Sequence, residues 1–413
     1  MRILWVKANK LLPVESGGSI RSFHIARHLA ARHELTFFSY YAGPPDPAYQ
    51  AELARFLPGA VALATGTWEP AGLARGLDYV LHLPRRAPYA VSRFASAAVR
   101  EKLAGWFGER RFDIAVCDFL QSAVNFPSRP AIPSVLFQHN VETEIWRRHV
   151  LTEPGKYKRL VYGIEFSKMM SYERKTVREF DHVIAVSPDD QRLMAAWVEA
   201  SRISVVPTGV DLAEYRPEAS AGAGKPLVVF VGAMDWEPNV GAVEYFCREI
   251  WPRVAAAIPE ASFRIVGRNP VRRVQELESD SVEVTGRVPS VLEHLREAAV
   301  VVVPLLVGGG TRLKIYEAMA AGKAVVSTTV GAEGLDVHHG SDILLADDAS
   351  SFADTVLMLL RDEEARSRYG QEAARQAARY DWAEIAVTFE QVLERVAGKS
   401  APGRSNLKGQ VLC

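Results

Sequence analysis

Short runs of apolar, β-branched residues alternate along this chain with longer stretches in which apolar positions recur every three or four residues. MRILWV, HELTFFSYY, FDIAVCD, PSVLFQHN, DHVIAVS and ISVVPTGVD are the runs of the first half. PLVVFVG, SFRIVGR, VEVTGRV, AVVVVP, AVVSTT and SDILLAD are those of the second. Runs that lack polar alternation read as strands covered on both faces, and the helical stretches between them as the crossovers a parallel sheet requires. The pattern predicts an α/β protein of two doubly wound parallel-sheet domains.

The stretch YRPEASAGAGKP has no apolar period and reads as a linker. The expected organisation is an N-terminal domain over residues 1–215, a linker at 216–226, a C-terminal domain at 227–380, a closing helix at 381–397 and a disordered tail at 398–413. Between residues 44 and 111 no clean period appears, and short helices and loops are expected. WRRHVLTEPGKYKRLVYGIEFSKMMSYERKTVREF reads as one long helical segment with a basic, aromatic face. Such a face can meet anionic lipid, but the interleaved glutamates favour a solvated surface with i,i+4 pairs. The sequence NVGAVEYFCREIWPRVAAAIP reads as one long helix of the second domain.

Residues 299–329, AVVVVPLLVGGGTRLKIYEAMAAGKAVVSTT, write strand, glycine loop, helix, strand. Gly308, Gly309 and Gly310 break the strand, Thr311 can N-cap the helix, and Gly322 suits its C-cap. A helix N-terminus at a sheet edge attracts anions through its free N–H groups and its dipole. Arg312 and Lys314 lie in that first turn, on the unfavourable end of the dipole, and a ligand with more than one phosphate resolves the conflict. Glu317 follows roughly 7–8 Å along the axis at about 1.5 Å per residue, a reach that suits sugar hydroxyls. The stretch reads as a nucleoside-diphosphate site.

Composition narrows the field. The chain has 413 residues, enough for about two domains. Its 49 Lys and Arg balance 49 Asp and Glu, so no net field favours nucleic acid. Three cysteines, Cys117, Cys247 and Cys413, are too scattered for a disulfide framework or a zinc site. No apolar stretch approaches the roughly 20 residues needed to span a bilayer, and MRILWVKANK reads as a strand rather than a signal peptide. A cytoplasmic protein that reaches the inner face of a membrane at most is expected.

Ligands of open parallel sheets gather beyond the carboxyl ends of the strands. Asp118 and His139 follow apolar strands there, with Glu142 shortly after His139. Ser16, Gly17, Gly18 and Ser19 repeat the loop-before-helix arrangement at the start of the chain. Arg268 and the turn Gly286, Arg287, Val288 follow strands neighbouring the glycine loop and can line a base pocket.

Six segments together resemble the family 4 (GT4) retaining glycosyltransferases of GT-B fold: GGSIRSFHIARHLA, VLFQHNVE, VIAVSPDD, VPTGVDLAEYRP, VVFVGAMDWEPN and GGGTRLKIYEAMAAGKAVVSTTVGAEG. The resemblance spans almost the whole chain and is most specific in the last segment. It implies two Rossmann-like domains facing a cleft, an acceptor on the first and a sugar nucleotide on the second. It further implies transfer with retention and without a metal. The glutamate of EAMA, Glu317, would bind ribose, and His139 would sit near the donor sugar. Gly17 and Gly18 would let backbone approach the donor phosphate.

Two departures stand out. The position eight residues before Glu317, a glutamate in most of the family, is Gly309. The arginine and lysine that many members place after the first strand of the second domain are absent from AMDWEPNVGA. Arg312 and Lys314 are expected to supply that charge. On the sequence alone the expected function is transfer of a sugar from a nucleoside-diphosphate sugar to a hydroxyl of a glycan or lipid-linked acceptor. His139, Arg312 and Lys314 are its catalytic candidates. Gly17, Gly18, Gly309, Gly310, Thr311, Glu317, Arg268, Gly286 and Val288 are candidates for the donor, and Asp118 and Glu142 for the acceptor or cleft. No cofactor beyond the sugar nucleotide is expected. A GT-B sugar-nucleotide enzyme of another reaction, such as an epimerase, and a scaffold protein that lost its chemistry remain the alternatives.

Overall fold

In the computed structural model, residues 1–66, 72–217, 226–307 and 312–398 are described. The first sheet holds β1 (Arg2–Ala8), β2 (Glu34–Tyr41), β3 (Val61–Ala64), β4 (Ile114–Asp118), β5 (Ser134–Phe137), β6 (His182–Ala185) and β7 (Ile203–Val205). The second holds β8 (Leu227–Val231), β9 (Ser262–Val266), β10 (Val282–Gly286), β11 (Val300–Val303), β12 (Ala324–Ser327) and β13 (Leu344–Leu345). Their orders are β3-β2-β1-β4-β5-β6-β7 and β10-β9-β8-β11-β12-β13, and every pairing between them is parallel. In each sheet the chain reverses its winding between the first strand and the fourth, at β1/β4 and at β8/β11. Those reversals open the crevices where ligands of doubly wound sheets bind.

The strands are apolar because helices cover both faces. Ile3, Leu4, Trp5 and Val6 of β1 and Val300, Val302 and Val303 of β11 have no accessible surface. Each sheet has its own core, and the last helix (Trp382–Val396) joins the N-terminal one although it follows the second sheet. Phe389 lies with its ring centroid 5.4 Å from Trp5 and 5.0 Å from Phe137. Trp382 stacks on His24 of the first helix (Gly17–Ala30) at 5.0 Å.

Three local expectations change. The basic segment is two helices, Glu142–Thr152 and Lys156–Glu179. Pro154 and Gly155 separate them, since proline lacks the donor a helix interior needs. The long helix of the second domain runs on from Glu237 to Ala257 but widens into a π turn at Phe246–Ile250. Pro252, which lacks a donor, follows that wide turn. The unclear region after residue 44 contains an edge strand, β3, and a helix at Ala97–Gly108 as well as shorter helices.

Candidate functional site

Each sheet places a helix N-terminus at its crevice, and the two meet. The helix after β1 begins at Gly17, N-capped by the Ser16 side chain, which accepts from the Ser19 amide at 3.1 Å. The helix after β11 is Leu313–Ala320, with Arg312 at the N-cap and no side-chain cap. A Cβ on Gly17 would stand 3.2 Å from Leu313 Cδ1, so the first helix turns abut across the cleft. The helix thus starts later than the capping role read for Thr311 required. Gly309, Gly310 and Thr311 lie outside the described residues.

Lys314 is partly buried, donates to Asn239 Oδ1 at 2.8 Å and has its ammonium 4.4 Å from the Phe230 ring centroid. Its Nζ would lie 2.8 Å from a Cβ on Gly232, at the carboxyl end of β8. Lys314 thus brings its ammonium beside Gly232 and Asn239, at the segment AMDWEPNVGA, which carries no cation of its own. Burial, then repulsion from Arg312, lowers the Lys314 ammonium to about 7. Arg312 is 5 % exposed and packs toward the Trp236 ring, 5.6 Å away. Burial brings its guanidinium down to about 10, with Glu333 opposing and Arg148 adding to the shift. Glu317 lies one turn beyond Lys314. Burial and then Glu214 raise its carboxyl to about 7, and none of the described residues hydrogen-bonds to it.

Sequence reasoning missed Arg21, which belongs to the same cluster. Arg21 is 4 % exposed, donates to Thr208 Oγ1 at 3.0 Å and has Nη1 3.5 Å from His139 Nδ1. Burial lowers it to about 10, Asp190 raises it, and Arg312 lowers it again. Its position one turn after Gly18 in GGSIRSFH was the available signal. Arg21 and Lys314 thus each stand close enough to Arg312 to repel it, three desolvated basic groups at one crevice.

His139 and Asp118 are brought together by a direct hydrogen bond. Asp118 is fully buried and accepts from His139 Nε2 (2.7 Å), Ser22 Oγ (2.6 Å), Trp5 Nε1 (3.0 Å) and Lys7 Nζ (3.1 Å). Burial alone would raise the Asp118 carboxyl, but Lys7 and the His139 hydrogen bond hold it well below the usual carboxylate range. His139 is 1 % exposed, lowered by burial to about 4, and therefore neutral. Its Nε2–H donates to Asp118, which leaves Nδ1 to face Arg21. Phe119 stacks flat on the ring at 3.7 Å. Both ring nitrogens of His139 are engaged, Nε2 by Asp118 and Nδ1 by Arg21. Asp118 anchors this network.

The glycine pair also has a packing reason. A Cβ on Gly18 would lie 2.3 Å from Phe119 Cζ, so the bare backbone makes room for that ring. Phe119 itself has φ 68°, an unusual conformation for a residue with a side chain. Glu142 opens its helix with its backbone N–H donating to Glu173 Oε1 at 2.9 Å. Burial raises its carboxyl, which Gln121 and Asn140 stabilise.

The base-pocket candidates meet a carboxylate from the opposite domain. Glu15 accepts from Arg268, and from Arg287 Nη1 at 2.7 Å. Gly286 takes φ 68° at this turn, while Val288 packs partly buried on the second core. On the other side of the cleft Arg148 makes a two-pronged pair with Glu333, at 2.8 and 2.7 Å. Among the described residues no cluster of three or more metal-ligating side chains occurs.

Comparison with known proteins follows the same division. The profile of Glycosyltransferase Family 4 matches residues 16–214 and that of Glycosyl transferases group 1 matches residues 225–362. The chain is 26 % identical over 338 residues to a phosphatidyl-myo-inositol mannosyltransferase of Mycolicibacterium smegmatis, covering 78 % of this chain and 82 % of that one. It is 30 % identical over 241 residues to a D-inositol 3-phosphate glycosyltransferase of Nocardia farcinica, about half of each chain, 52 % and 52 %. In fold it is similar to sucrose-phosphate synthase from Thermosynechococcus elongatus, with a TM-score of 0.69 at 18 % identity over 96 % of this chain and 99 % of that one. HepE of Anabaena, solved with UDP and glucose, gives a TM-score of 0.66 at 15 % identity over 95 % of this chain and 99 % of that one. The paired parallel sheets, the two facing helix N-termini and the profiles that cover both halves agree, and the chain belongs to the GT4-type glycosyltransferases of GT-B fold.

Proposed function

We propose that this glycosyltransferase moves a hexose from a nucleoside-diphosphate sugar to a hydroxyl of a glycan or lipid-linked acceptor, with retention of configuration. One observation carries the donor assignment: Arg312 and Lys314 are desolvated, repel one another and stand at the crevice of the second sheet. A diphosphate placed there relieves that repulsion and gains charge-assisted hydrogen bonds. The Glu317 carboxyl, which no side chain among the described residues hydrogen-bonds, suits the ribose hydroxyls of the same ligand.

In the reaction the bond from the anomeric carbon to the β-phosphate oxygen breaks while the acceptor oxygen bonds to that carbon on the same face. Charge grows on the departing oxygen, and in this reading Arg312 and Lys314 stabilise it. The acceptor proton passes to the same phosphate oxygen. Arg21 adds positive potential from the N-terminal side, held by Thr208 and His139.

A peripheral membrane contact through the N-terminal domain suits a lipid-linked acceptor. Leu77, Leu81, Tyr157 and Leu160 are at least 65 % exposed, and Arg85, Arg86, Lys156 and Arg159 lie exposed among them. No described helix is long and apolar enough to cross a membrane. The relatives' names point to phosphoinositol acceptors, a class to test first. Incubation with radiolabelled UDP-, GDP- and ADP-hexoses and phosphatidylinositol vesicles tests the assignment, with anomeric configuration read by NMR. Transfer from one donor supports it. Donor epimerised without transfer, or no turnover at all, contradicts it.

A further inference from the structure

The segments VLFQHNVE and VIAVSPDD lie on separate elements and meet at one loop, residues 138–143, which joins β5 to the helix Glu142–Thr152. A helix leaves its first backbone N–H groups without partners, and a Ser, Thr, Asp or Asn side chain at the N-cap usually satisfies them. Here the N-cap is Val141, which has no side chain for that task.

The donors are met from two other helices. Glu173, on the helix Lys156–Glu179, has no accessible surface. Its carboxylate accepts from the Glu142 N–H at 2.9 Å, the Thr143 N–H at 2.7 Å, the Thr143 hydroxyl at 2.5 Å and the side-chain amide of Gln138 at 2.8 Å. Asp190, partly buried on the helix Pro188–Ala195, accepts from the Val141 backbone and from Ser187 Oγ at 2.7 Å. Three consecutive backbone amides, 141 to 143, are thus held by two carboxylates that come from outside the loop.

His139 and Asn140 lie between the held ends. On the strand side the Gln138 N–H donates to Ile184 O at 2.9 Å, so Gln138 is fixed through both backbone and side chain. The His139 ring is then set against Phe119 at 3.7 Å and Phe137 at 4.2 Å, with Nδ1 3.5 Å from Arg21 Nη1. Asp190 reaches Arg21 as well: burial lowers that guanidinium most, and Asp190 is the largest influence that raises it again. Burying a carboxylate is unfavourable unless several donors meet it. A neutral side chain at the N-cap would serve the helix alone, whereas carboxylates rooted in neighbouring helices also fix where the loop stands.

Resting on the transferase function proposed above, we infer that Glu173 and Asp190 are positioning residues for the reaction centre, which clamp the loop 138–143 so that His139 and Arg21 keep their mutual geometry. Glu173, without accessible surface, acts only through this loop. Neither residue hydrogen-bonds Arg312, Lys314 or Glu317, which stand in the other domain.

Glu173→Gln and Asp190→Asn preserve shape and turn one accepting oxygen into a donor that faces other donors. Val177→Ala is the comparison: Val177 is fully buried in the N-terminal domain, one turn along the same helix, and has no part in these hydrogen bonds. Each full-length variant is assayed for transfer, with melting temperatures confirming that it is folded during the assay. Proton NMR with labelled histidine follows the His139 Nε2–H that donates to Asp118, its resonance assigned by its absence in His139→Gln. The two carboxylate variants should lose about tenfold or more in kcat with KM for the nucleotide sugar unchanged, and the His139 resonance should shift or broaden in both. Val177→Ala should keep both kcat and the resonance. Should Glu173→Gln fail to fold, Thr143→Val removes one donor to the same carboxylate and should give a smaller fall in kcat with the resonance again displaced. An unmoved resonance, a raised KM at unchanged kcat, or an equal loss of kcat in Val177→Ala overturns the inference. If the native chain transfers sugar from no nucleotide, the transferase function falls, and the resonance alone decides whether the carboxylates hold the loop.

Discussion

Lys314 and Glu317 are one helical turn apart, and burial moves them in opposite directions, the ammonium down and the carboxyl up, each to about 7. Between about 7 and its ordinary 10.5, Lys314 holds a proton in the unfolded chain that the fold does not hold, so stability should rise with pH across that window. Glu317 does the reverse. The fold keeps its proton from the ordinary 4.5 up to about 7, and stability should fall there as pH rises. Lys314→Met should flatten the upper limb of a urea-unfolding series against pH and leave the lower limb in place. In turnover, Arg312→Ala should cost at least tenfold, about 1.4 kcal/mol of transition-state stabilisation, with the circular dichroism spectrum unchanged. Steric effects should act at Gly18, where an added methyl would meet the Phe119 ring at 2.3 Å. Gly18→Ala should lose about 1–3 kcal/mol in denaturant titration, the usual range for overpacking.

At the level of elements, most strands were legible because a parallel sheet buried on both faces leaves an unbroken apolar run, as in AVVVVP and FDIAVCD. Breaks inside helices were less so. Pro154 was visible as a letter, yet the apolar period on either side masked the interruption, as it masked the wide turn before Pro252. Strand β3 escaped because its residues, at the sheet edge, are only partly buried and carry no strong pattern. Contacts between distant segments were illegible for a different reason: Arg21, Thr208 and His139 lie on three separate elements and meet only through the fold. The helix that carries Lys314 and Glu317 could be read because strand, helix and following strand are neighbours in sequence. The closing helix shows a non-local contact with a measurable energy. Phe389 fills the N-terminal core beside Trp5, and Phe389→Ala should cost about 3–5 kcal/mol by equilibrium unfolding.

Across the whole molecule, the cleft is bridged on two sides, by Glu15 with Arg268 and Arg287 and by Arg148 with Glu333. Partly exposed pairs of this kind contribute about 0–1 kcal/mol each, enough to bias two domain arrangements without locking either. Glu15→Gln should widen the cleft, seen as a larger radius of gyration in small-angle scattering at low salt and as a reduced salt dependence of that radius. An unchanged radius would remove this role from Glu15. The central claim, that Arg312, Lys314 and Glu317 hold a nucleoside diphosphate, is tested most directly by thermal unfolding with UDP, GDP, ADP and CMP, each near 1 mM. A ligand at a hundred times its dissociation constant adds about 2.7 kcal/mol of stability. The account predicts a raised Tm with one of the diphosphates, lost in Arg312→Ala and in Glu317→Ala. A Tm that no nucleotide raises, or a shift that survives both substitutions, would contradict it.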